Sequence, residues 1–94
     1  MRIREFQKLM KELYFENDSK RGVEKTMLWL IEEVGELASA VKDGDKDRAR
    51  EELADVIAWS ASLANLLGIE IEEALKEKYP GFCKKCGSYP CRCS

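Results

Sequence analysis

The chain has no histidine. That absence removes imidazole general bases, Ser-His-Asp triads and the His-containing di-iron sites of helical bundles. All four cysteines fall between positions 83 and 93, so none can staple the rest of the chain. Only two prolines interrupt it, and no Gly/Ser-rich linker divides it. No apolar run approaches the roughly 20 residues that span a bilayer, so no membrane partner is expected. A large excess of basic or of acidic residues is lacking too. Sixteen Lys+Arg against eighteen Asp+Glu give a formal net charge of −2, which offers no basic footprint for a nucleic-acid polymer. No apolar signal segment follows Met1-Arg2-Ile3-Arg4-Glu5, and the expectation is a cytoplasmic protein. Chemistry in residues 1–80 therefore has to come from carboxylates, Lys/Arg and backbone.

What remains, at 94 residues, 45% hydrophobic and 36% charged, is one small helical domain with little room for an enclosed pocket within a single copy. Ile3, Phe6, Met10, Leu13 and Tyr14 recur at helical spacing. Phe15 to Gly22, with Asn17, Asp18 and Ser19, reads as a loop in which Asp18 or Ser19 caps the next helix. A second helix runs from about Val23 to Lys42 and is closed by Asp43-Gly44. A third, capped by Asp45 or Asp47, ends at about Leu67 before Gly68. A fourth covers about Ile71 to Lys78. The fold expected is all-α: four helices followed by a cysteine tail.

The second and third helices carry related acidic patterns, Glu32-Glu33-Val34-Gly35-Glu36 and Glu51-Glu52-Leu53-Ala54-Asp55. At about 100° per residue, each set of three acids occupies a ~100° arc of its helix. Leu30, Val34, Leu37, Ala38 and Val41 lie opposite the first arc. Ala49, Leu53, Val56, Ile57 and Ala64 lie away from the second, and these apolar arcs are expected to build the chain's own core. A solvated acidic face is the ordinary reading of such a pattern. Two features oppose it. Glu32, Glu33 and Asp55 meet Glu36, Leu37 and Trp59 at i+4 in place of Lys or Arg. Trp29 and Trp59 fall inside the acidic arcs, which suggests a covered surface. Clustered carboxylates repel unless a cation sits between them, and Mg²⁺ or Mn²⁺ suits such oxygen ligands and phosphate chemistry.

On these residues the sequence resembles the MazG-like nucleotide pyrophosphohydrolases of the all-α NTP pyrophosphatase superfamily. The likeness rests on Glu32-Glu33-x-x-Glu36, fifteen residues, then Glu52-x-x-Asp55, within Leu30–Leu37, Glu51–Val56 and Leu63–Ile69, and it spans about Phe6 to Pro80. It implies a helical catalytic domain over residues 1–80 that is completed by assembly into a homodimer or homotetramer. The implied activity is Mg²⁺-dependent hydrolysis of a nucleoside triphosphate to monophosphate and pyrophosphate. The matching positions imply Glu33, Glu36, Glu52 and Asp55 as metal ligands, with Glu32 as a further ligand or the residue that orients the attacking water. Glu51 is the alternative for that last role. The rival reading from another class is a non-catalytic helical oligomerisation or interaction module with a zinc-binding docking tail.

Positive and aromatic groups flank the acids. Lys20, Arg21 and Lys25 precede or open the second helix, whose N-terminal amides favour anions; ordinary surface cations are the competing reading. Trp29 and Trp59 either stack on a base or fill a core. Asn65 either reads a base edge or serves as a cap-like polar group. In the tail, residues 81–94, Cys83-x-x-Cys86 and Cys91-x-Cys93 supply four thiols for a structural Zn²⁺, with two disulfides or a reduced, disordered tail as alternatives.

Overall fold

The computed structural model describes residues 1–94 and is all helical: α1 (Ile3–Arg21), α2 (Val23–Lys42), α3 (Lys46–Leu67) and α4 (Ile71–Lys78). The bounds of α2, α3 and α4 coincide with those read from periodicity. Asp45 caps α3, its carboxylate accepting the Arg48 N–H at 3.1 Å. Gly44 and Gly68 follow α2 and α3 as expected.

The first helix departs from expectation. Phe15–Arg21 is not a loop, because α1 continues through it to Gly22. Asp18 does not cap α2; it is buried inside α1 and accepts from Arg21 at 2.8 Å. The Asn17-Asp18-Ser19 run has poor helix propensity, but a part-buried ion pair between Asp18 and Arg21 on the Met10–Tyr14–Asp18 face opposes it. The break falls at Gly22, where φ is +88°, a conformation that L side chains rarely adopt. There the Thr26 hydroxyl, fully buried, donates back to the Gly22 carbonyl at 2.7 Å.

α3 is the central element. α2 folds back along it through the short Asp43–Asp45 turn, α1 packs against it, and α4 leans on α1. One glutamine joins three of these elements. Gln7 is buried in α1, and its amide donates to Asn65 Oδ1 at 3.0 Å and to the Ile69 carbonyl at 2.7 Å. Its carbonyl accepts the Ile71 N–H at 2.9 Å, satisfying a free donor at the start of α4. Arg4 adds an exposed clasp to Glu70, Glu72 and Glu73.

The apolar arcs build the chain's own core only in part: Ala64 is buried, and Leu30, Leu37, Ala49 and Val56 are half-buried. Only Met10, Ala40, Ala61 and Ala64 are buried apolar residues, while Val34, Val41, Leu53 and Ile57 stay 47–65% exposed. The reason is rotational: α2 and α3 turn their acidic and tryptophan faces toward each other, which points the apolar arcs outward. The radius of gyration is 15.7 Å, against about 12 Å for a compact chain of this length. No single helix is long and apolar enough to cross a membrane.

Candidate active site

The two acidic helices meet across the α2–α3 hairpin. Glu33 and Glu36 from α2 and Glu52 from α3 place carboxylate oxygens all within 4.8 Å of one another. No lysine or arginine bridges the three. Arg48 stands close enough to Glu36 to draw its pKa down, yet its own ion pair, at 3.3 Å, is with Asp43. Glu52 Oε2 is buried with no hydrogen-bond partner. A buried carboxylate oxygen without a donor is costly, and among three mutually repelling acids a divalent cation would satisfy it.

The electrostatics agree. Burial, a hydrogen bond with Glu52 and the fields of Glu36, Glu52 and Asp55 push Glu33 up from 4.5 to about 7. Glu36 is also raised, chiefly by the charge of Glu52, with burial, a hydrogen bond to Glu52 and the charge of Glu32 adding to it. Crowding of the three acids thus favours the protonated form of Glu33 at pH values below about 7. Hard oxygen donors with no nitrogen or sulfur fit Mg²⁺ or Mn²⁺.

Asp55 and Glu32 stand at the edge of this cluster. Asp55 is near enough to raise Glu33, and Glu32 near enough to raise Glu36, but neither joins the close trio. Both are exposed.

Trp29 and Trp59 pack on each other, ring centroids 5.6 Å apart and planes inclined by 27°. The Arg21 guanidinium lies over Trp59, 4.7 Å from the ring centroid. A cleft of about 330 Å³ opens here between α1 and α3. Tyr14, Asp18, Arg21, Asp55 and Trp59 are among the residues that line it, so it adjoins the acids through Asp55.

Asp18 is the residue that sequence reasoning misses. It is 2% exposed, and its Oδ2 has no hydrogen-bond partner. The signal was available: an acid at i+4 from Tyr14 and i+8 from Met10 sits on the apolar stripe of α1.

The basic residues separate. Arg21 faces the cleft from the last turn of α1, whereas Lys20 pairs with Glu16 at 3.7 Å on the open surface. Lys25 is exposed in the first turn of α2, beside Arg21 and Gly22 in a shallow depression, and makes no ion pair. Asn65 is engaged within the fold. Its amide donates to the Gln7 backbone carbonyl at 3.1 Å while its side-chain oxygen accepts from the Gln7 side-chain amide. It also sits roughly 20 Å along α3 from Glu52, at 1.5 Å per residue. Helix-to-helix bonding explains it.

In the tail the four thiols converge as well. The Sγ atoms of Cys83, Cys86, Cys91 and Cys93 all lie within 4.8 Å of one another.

Paired antiparallel helices carrying a close carboxylate trio, with an aromatic and cationic cleft alongside, define the class: an all-helical protein whose acids and cleft share one side of a hairpin. The chain belongs to the family of the MazG nucleotide pyrophosphohydrolase domain, whose model matches residues 21–87. It is also similar to a phosphoribosyl-ATP pyrophosphatase of Methanopyrus kandleri, 41% identical over 66 residues. That match covers 70% of this chain and 66% of the relative, just under two thirds of the relative's length.

Proposed function

We propose that this chain is a divalent-cation-dependent pyrophosphohydrolase that cleaves a nucleoside triphosphate, ribo or deoxy, between its α and β phosphates. The observation that carries this reading is the Glu33–Glu36–Glu52 trio, with one buried oxygen of Glu52 unpartnered. Those three acids, with Asp55 at the edge, would hold Mg²⁺ or Mn²⁺. Such an ion, when bound, offsets phosphate charge and lowers the pKa of coordinated water.

The chain's own groups do the rest. Glu32, exposed and free of ion pairs, accepts the proton of the attacking water. Water oxygen adds to phosphorus, the bridging oxygen departs with pyrophosphate, and the nucleoside monophosphate remains. Lys25 and Arg21 attract the triphosphate at the head of α2, with Lys20 adding positive field from the rim. The Trp59 indole and the Trp29 ring behind it offer an apolar wall for the base. Asp18 Oδ2 waits in the cleft for a hydrogen-bond donor on the nucleoside. The name of the relative supports including phosphoribosyl-ATP, a nucleotide with the same triphosphate, among the substrates tested.

The same reading includes a homodimer or homotetramer. The chain exposes 7330 Å², against about 5,500 Å² for a compact monomer of 10.8 kDa. The excess is roughly 1,800 Å², about twice what each partner buries in a standard interface. A second copy covering the outward apolar arcs removes it.

A panel of nucleoside triphosphates and phosphoribosyl-ATP with Mg²⁺ or Mn²⁺, scored for pyrophosphate against orthophosphate, tests the activity. Pyrophosphate release that disappears in Asp55→Asn, with helicity and assembly size unchanged, is expected. Absence of cation-dependent turnover on every substrate would leave the non-catalytic interaction module as the better reading.

A further inference from the structure

The tail poses a separate problem. Residues 81–94 are too few to bury a core, and Phe82 and Tyr89 remain exposed. Yet the backbone is turned back on itself. The Gly87 N–H donates to the Cys83 carbonyl at 2.6 Å, and the Cys83 N–H to the Ser88 carbonyl at 2.9 Å. Gly87 takes φ +72°, the left-handed turn that brings the chain around after Cys86. Two short hydrogen bonds on the surface do not hold such a loop against its conformational entropy.

The cysteines supply what is missing. All four are free thiols, and their sulfurs surround one point instead of forming two separate pairs. Cys83 Sγ and Cys93 Sγ are 3.7 Å apart. A tetrahedron with Zn–S bonds of about 2.3 Å has edges of about 3.8 Å. Backbone N–H groups aim at the sulfurs, Arg92 N to Cys86 Sγ and Cys93 N to Cys91 Sγ, each at 3.3 Å. Lys84, Lys85 and Arg92 are the charged side chains of this segment, and no acid is among them. Three positive charges offset the −2 of a tetrathiolate Zn²⁺ centre. One of them also ties the loop to the fold. Lys84 Nζ donates to the Glu77 carbonyl at 3.1 Å, in the last turn of α4, where free carbonyls and the helix dipole favour a cation.

We propose that Cys83, Cys86, Cys91 and Cys93 bind one Zn²⁺ as a closed tetrathiolate that folds residues 83–93 into a structural cap on the C-terminal end of α4. Binding releases the thiol protons and converts ordering of the tail into a metal-dependent step. Zinc suits the exposed setting because it carries no redox chemistry and accepts tetrahedral geometry without electronic preference. The centre is independent of the carboxylate trio, so the pyrophosphohydrolase reading and this one stand or fall separately.

The experiment uses the full chain, purified with thiols protected. Elemental analysis after desalting should give one zinc per chain. After chelation, Co²⁺ should produce the absorption of tetrahedral thiolate cobalt, and Zn²⁺ should bleach it. Cys86→Ser and Cys91→Ser should each lose that spectrum and the tightly held zinc, while Glu33→Gln keeps both. Far-UV circular dichroism of the two cysteine variants should retain the signal of α1–α3, since the tail touches α4 alone among the helices by hydrogen bond. Reduced protein with no bound zinc and no such cobalt spectrum overturns the proposal. So does zinc that persists in both cysteine variants, iron in place of zinc, or tail peptides recovered as two disulfides.

Discussion

Replacing Glu33 by glutamine tests the acidic cluster without asking for activity. Two carboxylates 4.8 Å apart, the outer limit for this trio, repel by about 0.9 kcal/mol at the dielectric of water and about 3.5 kcal/mol at an effective value of 20. Glu33 is half-buried and Glu36 is exposed, so screening holds the figure near the lower end. Glu33 faces two such neighbours, and its neutral isostere should stabilise the cation-free protein by about 1–2 kcal/mol above pH 7. In a chain of this length that is roughly 5–10 °C in Tm. The sign with pH is fixed by the raised pKa. Between its ordinary 4.5 and about 7 the folded protein keeps a proton on Glu33 that the unfolded chain has released. Stability of the cation-free wild type therefore falls as pH rises through that window and levels off above it. Glu33→Gln should flatten this slope and melt with the wild type at pH 4. Mg²⁺ should raise the wild-type Tm and leave the variant nearly unmoved. Thermal melts at three pH values, with chelator and with Mg²⁺, decide. A variant less stable than wild type at pH 8, or one with an unchanged pH slope, refutes the convergence of these acids.

Two further substitutions probe how the site is held. Gln7→Ala removes side-chain bonds to Asn65, Ile69 and Ile71 and should cost about 2–3 kcal/mol; faster hydrogen exchange at the Ile71 amide locates the loss at the α1–α4 junction. Arg21→Ala strips Asp18 of its partner and Trp59 of its cation and should cost about 2–3 kcal/mol. Adding Asp18→Asn should recover part of that loss in a denaturant melt, because the unpaired buried charge disappears with it.

Much of the hairpin is written in the sequence as a mirror. Trp29 and Trp59 each stand fifteen residues from Gly44, Glu33 and Asp55 eleven, Glu36 and Glu52 eight. A short turn centred on Gly44 sets mirrored positions of antiparallel helices side by side. This symmetry, stronger than the angular arcs taken one helix at a time, explains why the indoles meet and the acids converge. Composition and spacing were enough for α2, α3 and α4. They failed for Phe15–Arg21 because local propensity there opposes a tertiary contact, the burial of Asp18 with Arg21. They fell short for the core because periodicity shows that a helix has an apolar face without showing which neighbour covers it. Asn65 lay beyond reach for a similar reason: its partner, Gln7, is 58 residues away.

The outward apolar arcs and the inward acids have one cause, and it leads to a prediction about activity far from any ligand. A hairpin that encloses like charges is pushed apart at its centre, and with four buried apolar residues the chain has little to oppose that push. In the proposed assembly the opposing force would come from outside the chain. Leu53 and Ile57, one turn apart on α3 and each just over half exposed, lie on the arc that a second copy would cover, and burying them removes about 25 cal/mol per Å² of apolar surface from water. Substituting both by lysine touches no carboxylate, yet it should dissociate the assembly and remove cooperative melting. Pyrophosphate release should fall with it, because the trio is held only as firmly as the hairpin is clamped. Analytical ultracentrifugation and activity measured over the same dilution series should therefore decline together. An assembly that survives Leu53→Lys with Ile57→Lys, or a wild-type monomer that melts cooperatively at full activity, would show that one copy holds its own acids together.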